Sequence, residues 1–200
     1  MEKILSINGK TIFDIDTTIL IPSNYNYTKD TIELLNQGCT VIYKVSNFNI
    51  RDIPQDILNF FDCEYLLSKT TFTKEDEYKI IIISSIFSTK KIIAFMNMFT
   101  YVSKEFQNKI IEFLRRQNKR IINYTSETEE TLLLPYLIII YNNEIVIEGE
   151  TNIVLKEETL IKKLGFNLPF IVELSNGLKY YNVVSKLFFD NESLVEELWK

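Results

Sequence analysis

The chain has 200 residues, a formal net charge of −5 and no histidine. That length suits one domain with a small appendage, and 46% hydrophobic residues with few glycines and prolines describe a globular chain, not a disordered one. The acidic balance argues against a nucleic-acid-coating surface, and the missing histidine excludes Ser-His-Asp and Cys-His catalysis and any histidine-ligated metal.

The first segment, MEKILSINGK, lacks the continuous apolar core of a secretory leader. The longest apolar runs, 80–87 and 132–141, are too short or too interrupted to span a bilayer, so the chain is expected in the cytoplasm. Asn8-Gly9 predicts a hairpin turn between two short strands. Thr17 to Ile21 reads as a further strand, followed by a polar loop (PSNYNYTKDT) and a helix from Ile32 to Gln37 that Gly38 ends. A strand, a polar loop and a helix are the frame of a phosphate-binding loop. Such a loop needs glycines so that its N–H groups can curl around the phosphate, and this one has none. Lys29 and Thr31 nonetheless have the spacing of the lysine and hydroxyl of such a loop.

Thr40 to Ser46 reads as a strand, and Ile50 to Phe61 as a loop with a short helix. Residues 73–89 open like a helix with acidic residues, yet their isoleucine run has strand propensity. Ile92 to Met96 reads as a buried strand. Ser103 is the N-cap of a helix whose Phe106, Ile110, Phe113 and Leu114 recur at helical spacing, and Ile121 and Ile122 begin the next strand. This is a β-α-β unit with parallel strands, and in such sheets chemistry sits at the carboxyl ends of the strands. Asn142-Asn143 predicts a hairpin turn within Leu137 to Ile147. Helices are expected at Glu157 to Leu164, Pro169 to Leu178 and Asn191 to Lys200; Leu194, Leu198 and Trp199 of the last face a core or a partner. Cys39 and Cys63 are expected as reduced, buried thiols. Arg115, Arg116, Lys119 and Arg120 read as a solvated turn, and Glu127, Glu129 and Glu130 as a solvated helix start.

From Phe72 onward the order of features resembles an ABC-type ATPase, in particular the ATP-binding subunits of energy-coupling factor (ECF) vitamin and metal transporters. FTKED, Phe72 to Asp76, falls on the signature motif. KIIAFMN, Lys91 to Asn97, falls on the Walker B strand, and TYVS, Thr100 to Ser103, on the D-loop. INYTSETEE, Ile122 to Glu130, falls on the switch-histidine segment, and LIIIYNNEIVIEGET, Leu137 to Thr151, on the hairpin after it. LIKKLGFNLPFIVEL, Leu160 to Leu174, resembles the tail particular to the ECF type. Ile19 to Gly38 lies over the Walker A region, with Lys29 on its lysine.

The resemblance implies an α/β P-loop NTPase fold with a RecA-like core, a mainly parallel sheet and an N-terminal hairpin. The core would span 1–155, with a reduced helical subdomain at about 45–90, and a C-terminal helical appendage would span 156–200. It implies ATP and Mg as cofactors, with Lys29, Thr31 and Thr73 as nucleotide contacts, and no catalytic or metal residue is assigned. It implies a homo- or heterodimer with an ABC ATPase-like subunit, an integral membrane transporter subunit as further partner, and a place at the inner face of the membrane.

The motif residues themselves depart from the family. Ser23, Asn26 and Thr28 replace the Walker A glycines, and Asp30 stands where a Mg-binding hydroxyl belongs. Met96 and Asn97 replace the Walker B Asp-Glu pair, Ser126 the switch histidine, and Lys74 and Glu75 the signature glycines. Weak or absent ATP binding and inefficient hydrolysis are therefore expected, in a non-catalytic partner of an intact ATPase. The alternative is a binding or assembly protein on a P-loop scaffold, such as a CRISPR adaptation-like DNA-binding ring protein; the charge makes nucleic acid the less expected partner.

Overall fold

The computed structural model describes residues 3–7, 10–13, 15–43 and 50–199. Strands β1 (Lys3–Ile7) and β2 (Lys10–Phe13) form an antiparallel pair. The expected Asn8-Gly9 turn lies outside the described residues. The main sheet contains β3 (Thr17–Leu20), β4 (Thr40–Ile42), β5 (Ile92–Met96), β6 (Arg120–Thr125), β7 (Tyr136–Tyr141) and β8 (Glu144–Glu150), in the order β4-β5-β6-β3-β7-β8. All its pairs are parallel except β7-β8. This is the expected α/β class, and β5 and β6 are the expected parallel neighbours.

The helices are α1 (Thr28–Asn36), α2 (Gln55–Phe60), α3 (Lys74–Ser85), α4 (Lys104–Arg116), α5 (Thr151–Val154), α6 (Glu158–Lys163), α7 (Phe170–Tyr180) and α8 (Asn191–Leu198). Ser103 caps α4 as expected, its Oγ accepting from Phe106 N at 3.3 Å. The buried face of α4 is Phe106, Ile110, Ile111 and Leu114, each such burial contributing roughly 1.5–3 kcal/mol. Gly38 and Gly165 follow α1 and α6 with φ of +82°, a backbone that glycine adopts without strain. The β7–β8 turn uses Asn142 and Asn143 at φ of 49° and 62°, the left-handed pair that a two-residue hairpin needs.

The ambiguous 73–89 segment is helical. Thr73 caps α3 in a box with Asp76, each satisfying a backbone N–H of the other. Ile80 to Ile83 are all buried, because α3 is enclosed by neighbours on most sides; strand propensity yields to that packing.

One face of the sheet is covered by α1 and carries a single cluster of Ile19, Ile21, Leu34, Met96, Ile122, Tyr124 and Ile138. The other face carries two. One includes Phe95, Ile121, α3 and α4; the other joins Leu20, Leu137 and Ile139 to Ile161, Phe166, Val172 and Leu194 of the C-terminal helices. A polar seam runs between them. Thr18 and Asn123 are cross-strand partners on that face, in a row with Phe95 and Leu137.

One surface expectation holds and one is corrected. Arg115, Arg116 and Arg120 are exposed, as a solvated turn expects, and Lys119 is half-buried. Arg115 Nε donates to Asp16 at 2.8 Å, Arg116 pairs with Glu112, and Lys119 Nζ donates to the carbonyls of Ile86 and Ser88 at the end of α3. Glu130 is not solvated: it is buried against the polar seam, accepting from Asn123 Nδ2 at 2.9 Å and from Thr100 Oγ1 at 3.0 Å. Burial raises its carboxyl above the ordinary range, against those hydrogen bonds. Cys39 and Cys63 are free and buried as expected, and burial pushes both thiols up to about 11.

Candidate functional site

From β3 the chain passes through α1 to β4 at the edge of the sheet, returns through β5 and β6, and then crosses beyond β3 to β7. The strand order therefore reverses between β3 and β6. The crevice beyond their carboxyl ends is where an α/β sheet binds ligands. Four segments meet there: the 21–27 loop, the first turn of α1, Asn97 and Ser126.

The strand ends are laced together. Ile21 N donates to Thr125 O at 2.9 Å, and Asn97 N to Tyr124 O at 2.8 Å. Asn97 has a φ of 52°, a left-handed conformation that asparagine tolerates better than most residues. In that pose its Oδ1 accepts from Ser126 N at 3.1 Å. Met96 beside it is buried among apolar side chains and offers no oxygen.

The 21–27 loop is closed by its own polar groups. Asp30, in the first turn of α1, is 2% exposed. Tyr25 Oη donates to its Oδ2 at 2.9 Å, and Tyr124 Oη to its Oδ1 at 3.4 Å. Asn26 Oδ1 accepts from Thr28 N at 3.0 Å. Burial raises the Asp30 carboxyl above the ordinary range; the hydrogen bonds from Tyr25, its own backbone and Tyr124, and the nearby Lys29, pull the other way. Burial also raises the Tyr124 phenol well above its usual value. Outside this closed loop lies an open depression of about 590 Å³, lined by Tyr25, Asn26, Thr28, Lys29, Asp30, Ile32 and Asn143.

The three nucleotide-contact candidates occupy different settings. Lys29 is exposed and lines the depression. Thr31, half-buried in α1, donates its N–H to Tyr27 O at 2.9 Å. Thr73 is on another element, at the cap of α3. Its hydroxyl donates to Asp76 Oδ2 at 2.8 Å, and that carboxylate also accepts from Lys69 Nζ at 2.6 Å and from Tyr65 Oη at 2.9 Å. Burial opposes ionisation of Asp76, but the Lys69 ammonium and the Thr73 donors outweigh it and hold the carboxyl well below the usual range. At the neighbouring signature position, Lys74 Nζ lies 3.6 Å from the centroid of the Tyr101 ring, and that ring packs on Tyr78.

Two features of the crevice bear on ATP and Mg. A phosphate needs free N–H donors in the loop and first turn, and that of Thr28 is already matched by the Asn26 side-chain oxygen. Mg needs oxygen ligands, and Met96 supplies none. The partnership of Asp30 with Tyr124 joins residues distant in sequence and leaves no local signal. The Thr73-x-x-Asp76 spacing is a capping-box signal that the sequence did carry.

Comparison with known proteins agrees with this architecture. No family model matches the chain. An ATP-binding subunit of an ABC transporter superposes with a TM-score of 0.57 over 78% of this chain and 89% of that one, at 12% identity. The energy-coupling factor transporter ATP-binding protein EcfA1 of Mesomycoplasma hyopneumoniae is 33% identical over 93 residues, 46% of this chain and 33% of the relative. That of Geobacillus kaustophilus is 26% identical over 98 residues, 46% of this chain and 35% of the relative. The chain is similar to ABC ATPases, and over part of its length to those of the ECF type. An ECF ATP-binding protein of Malacoplasma penetrans matches further, at 22% identity over 163 residues, 78% of this ABC ATPase-like chain. The chain spans about a third of the first relatives and 57% of this last one.

Proposed function

We propose that this chain is an ABC transporter ATP-binding subunit of ECF type that does not turn over ATP efficiently and serves as the partner of an intact ATPase in a membrane transport complex. The observation that carries the reading is the fate of the Walker B pair. Hydrolysis needs a Mg ligand and a carboxylate that orients water. Met96 is packed into the core, and the Asn97 amide oxygen is committed to Ser126 N. An amide also cannot accept a proton from water at neutral pH. What persists is the scaffold that sets the positions of the strand ends.

Nucleotide contact is weak and runs through Lys29, with Thr31 beside it. Lys29 is the best placed of the candidates because it lines the open depression. Thr73 would meet a nucleotide held by a second subunit, as signature motifs do in this type of dimer. The membrane subunit is reached through the partner, at the inner face of the membrane; among the described residues no helix is long and apolar enough to cross one. Residues 156–200 act as a C-terminal appendage whose Ile161, Val172 and Leu194 anchor it on the sheet.

The test is reconstitution. Mixed with an intact ECF-type ATPase, the chain should form a stable heterodimer by size-exclusion chromatography with light scattering, and add no MgATP turnover of its own. Failure to bind any such ATPase, together with salt-dependent retention of duplex DNA, would favour the assembly-protein reading instead.

A further inference from the structure

The β3–α1 loop is joined to α1 and the sheet through one carboxyl group. Tyr25 belongs to the loop, Asp30 to α1 and Tyr124 to β6, so the two hydrogen bonds on Asp30 tie three segments together. Tyr124 is fully buried in the sheet and is the fixed post. Tyr25 is half-buried and is the part able to swing. A phosphate orders a loop of this type by supplying acceptor oxygens to its donors. Here acceptors that are parts of the chain itself meet donors of the loop: Asn26 Oδ1 takes the Thr28 N–H and the Asp30 carboxyl takes the Tyr25 hydroxyl.

We propose that Asp30, clasped by Tyr25 and Tyr124, is a built-in latch that keeps residues 22–30 closed with no ligand bound, so that the order of this loop is independent of nucleotide. The proposal rests on reading the loop as a dismantled nucleotide site. The latch works through acceptor oxygens and not through charge. Asparagine at position 30 keeps one acceptor for Tyr25, alanine keeps none, and phenylalanine at position 25 removes the donor from the loop side.

Amide hydrogen exchange of the full chain tests this, read at residues 22–30 with and without MgATP. The unmodified chain should be protected there without ligand and change less than about twofold on adding MgATP. Tyr25→Phe and Asp30→Ala should speed exchange in that loop by roughly tenfold while β5 and α4 stay unchanged, and Asp30→Asn should remain near the unmodified chain. A loop that exchanges freely without ligand and becomes protected by MgATP overturns the latch. So does a Tyr25→Phe loop as protected as the unmodified one. Should Asp30→Ala fail to fold, Tyr25→Phe decides, because it leaves the carboxyl in place. MgATP turnover is followed on the same samples: turnover by the unmodified chain overturns the dismantled-site reading, whereas loop exchange alone judges the latch.

Discussion

The side-chain oxygen of Asn97 accepts a hydrogen bond from the backbone N–H of Ser126 at 3.1 Å. That contact joins the ends of β5 and β6 at the position that the resemblance lays on the Walker B glutamate. Asn97 is a clamp between two strands, and the clamp depends on a left-handed backbone.

Asn97→Ala removes the hydrogen bond and forces a Cβ residue without a polar side chain to hold positive φ. It should destabilise the fold by about 2 kcal/mol. Asn97→Gly loses only the hydrogen bond and should cost roughly 1 kcal/mol. Urea unfolding of the three proteins checks the order. Equal costs for alanine and glycine would mean that the φ of residue 97 contributes nothing.

Asp30 makes a pH prediction with a definite sign. Burial raises its carboxyl in the folded chain. Its favourable contribution is therefore complete below the unfolded carboxyl value, about 3.9, and is lost as pH rises through the folded value. Asp30→Asn removes a charge that is costly to bury and should stabilise the chain at pH 7 by on the order of 1 kcal/mol, the gain vanishing towards pH 3. Denaturant titrations at both pH values test this; a variant less stable than the unmodified chain at pH 7 contradicts it.

Asp76 has the opposite sign. Its carboxyl is lowered, so the stability it provides is present above the unfolded value and is lost as pH falls towards the folded one. It accepts from Tyr65, Lys69 and both donors of Thr73, and so holds the start of α3 to the segment before it. Asp76→Ala should cost roughly 2–4 kcal/mol at neutral pH, combining loss of a cap with loss of charge-assisted hydrogen bonds. The difference from the unmodified chain should shrink below about pH 4. Asp76→Asn should fall between, since an amide keeps one acceptor but cannot pair with the Lys69 ammonium.

The basic cluster predicts an absence of nucleic-acid binding. Arg115 and Arg116 are paired with acids, and Lys119 is turned onto the end of α3. A duplex-binding titration at low salt should show no saturable binding, and a steep salt-dependent affinity would contradict the transport-subunit reading.

The local features were legible wherever a short stretch decided them. Ser103 and the Phe106, Ile110, Leu114 spacing announced α4, and Asn142-Asn143 announced the hairpin. Helix α3 was less clear, because Ile80 to Ile83 are all buried and leave no amphipathic period to read. The Thr73–Asp76 box is a local signal for the helix start that the structure brings out. The crevice was legible only as a loss of motif residues. What replaced them depends on pairs distant in sequence: Tyr124 with Asp30, Asn97 with Ser126, and Glu130 with Thr100. Such pairs carry no periodicity and require the fold before they can be seen. The same holds for Arg115 and Asp16, whose pairing ties the exposed end of α4 to the residue before β3.

The central claim is that this scaffold has given up ATP hydrolysis, and steady-state MgATP turnover of the purified chain tests it most directly. The account predicts a rate indistinguishable from that of a Lys29→Ala, Asn97→Ala double variant. Turnover clearly above that variant, and abolished by Lys29→Ala alone, would contradict it.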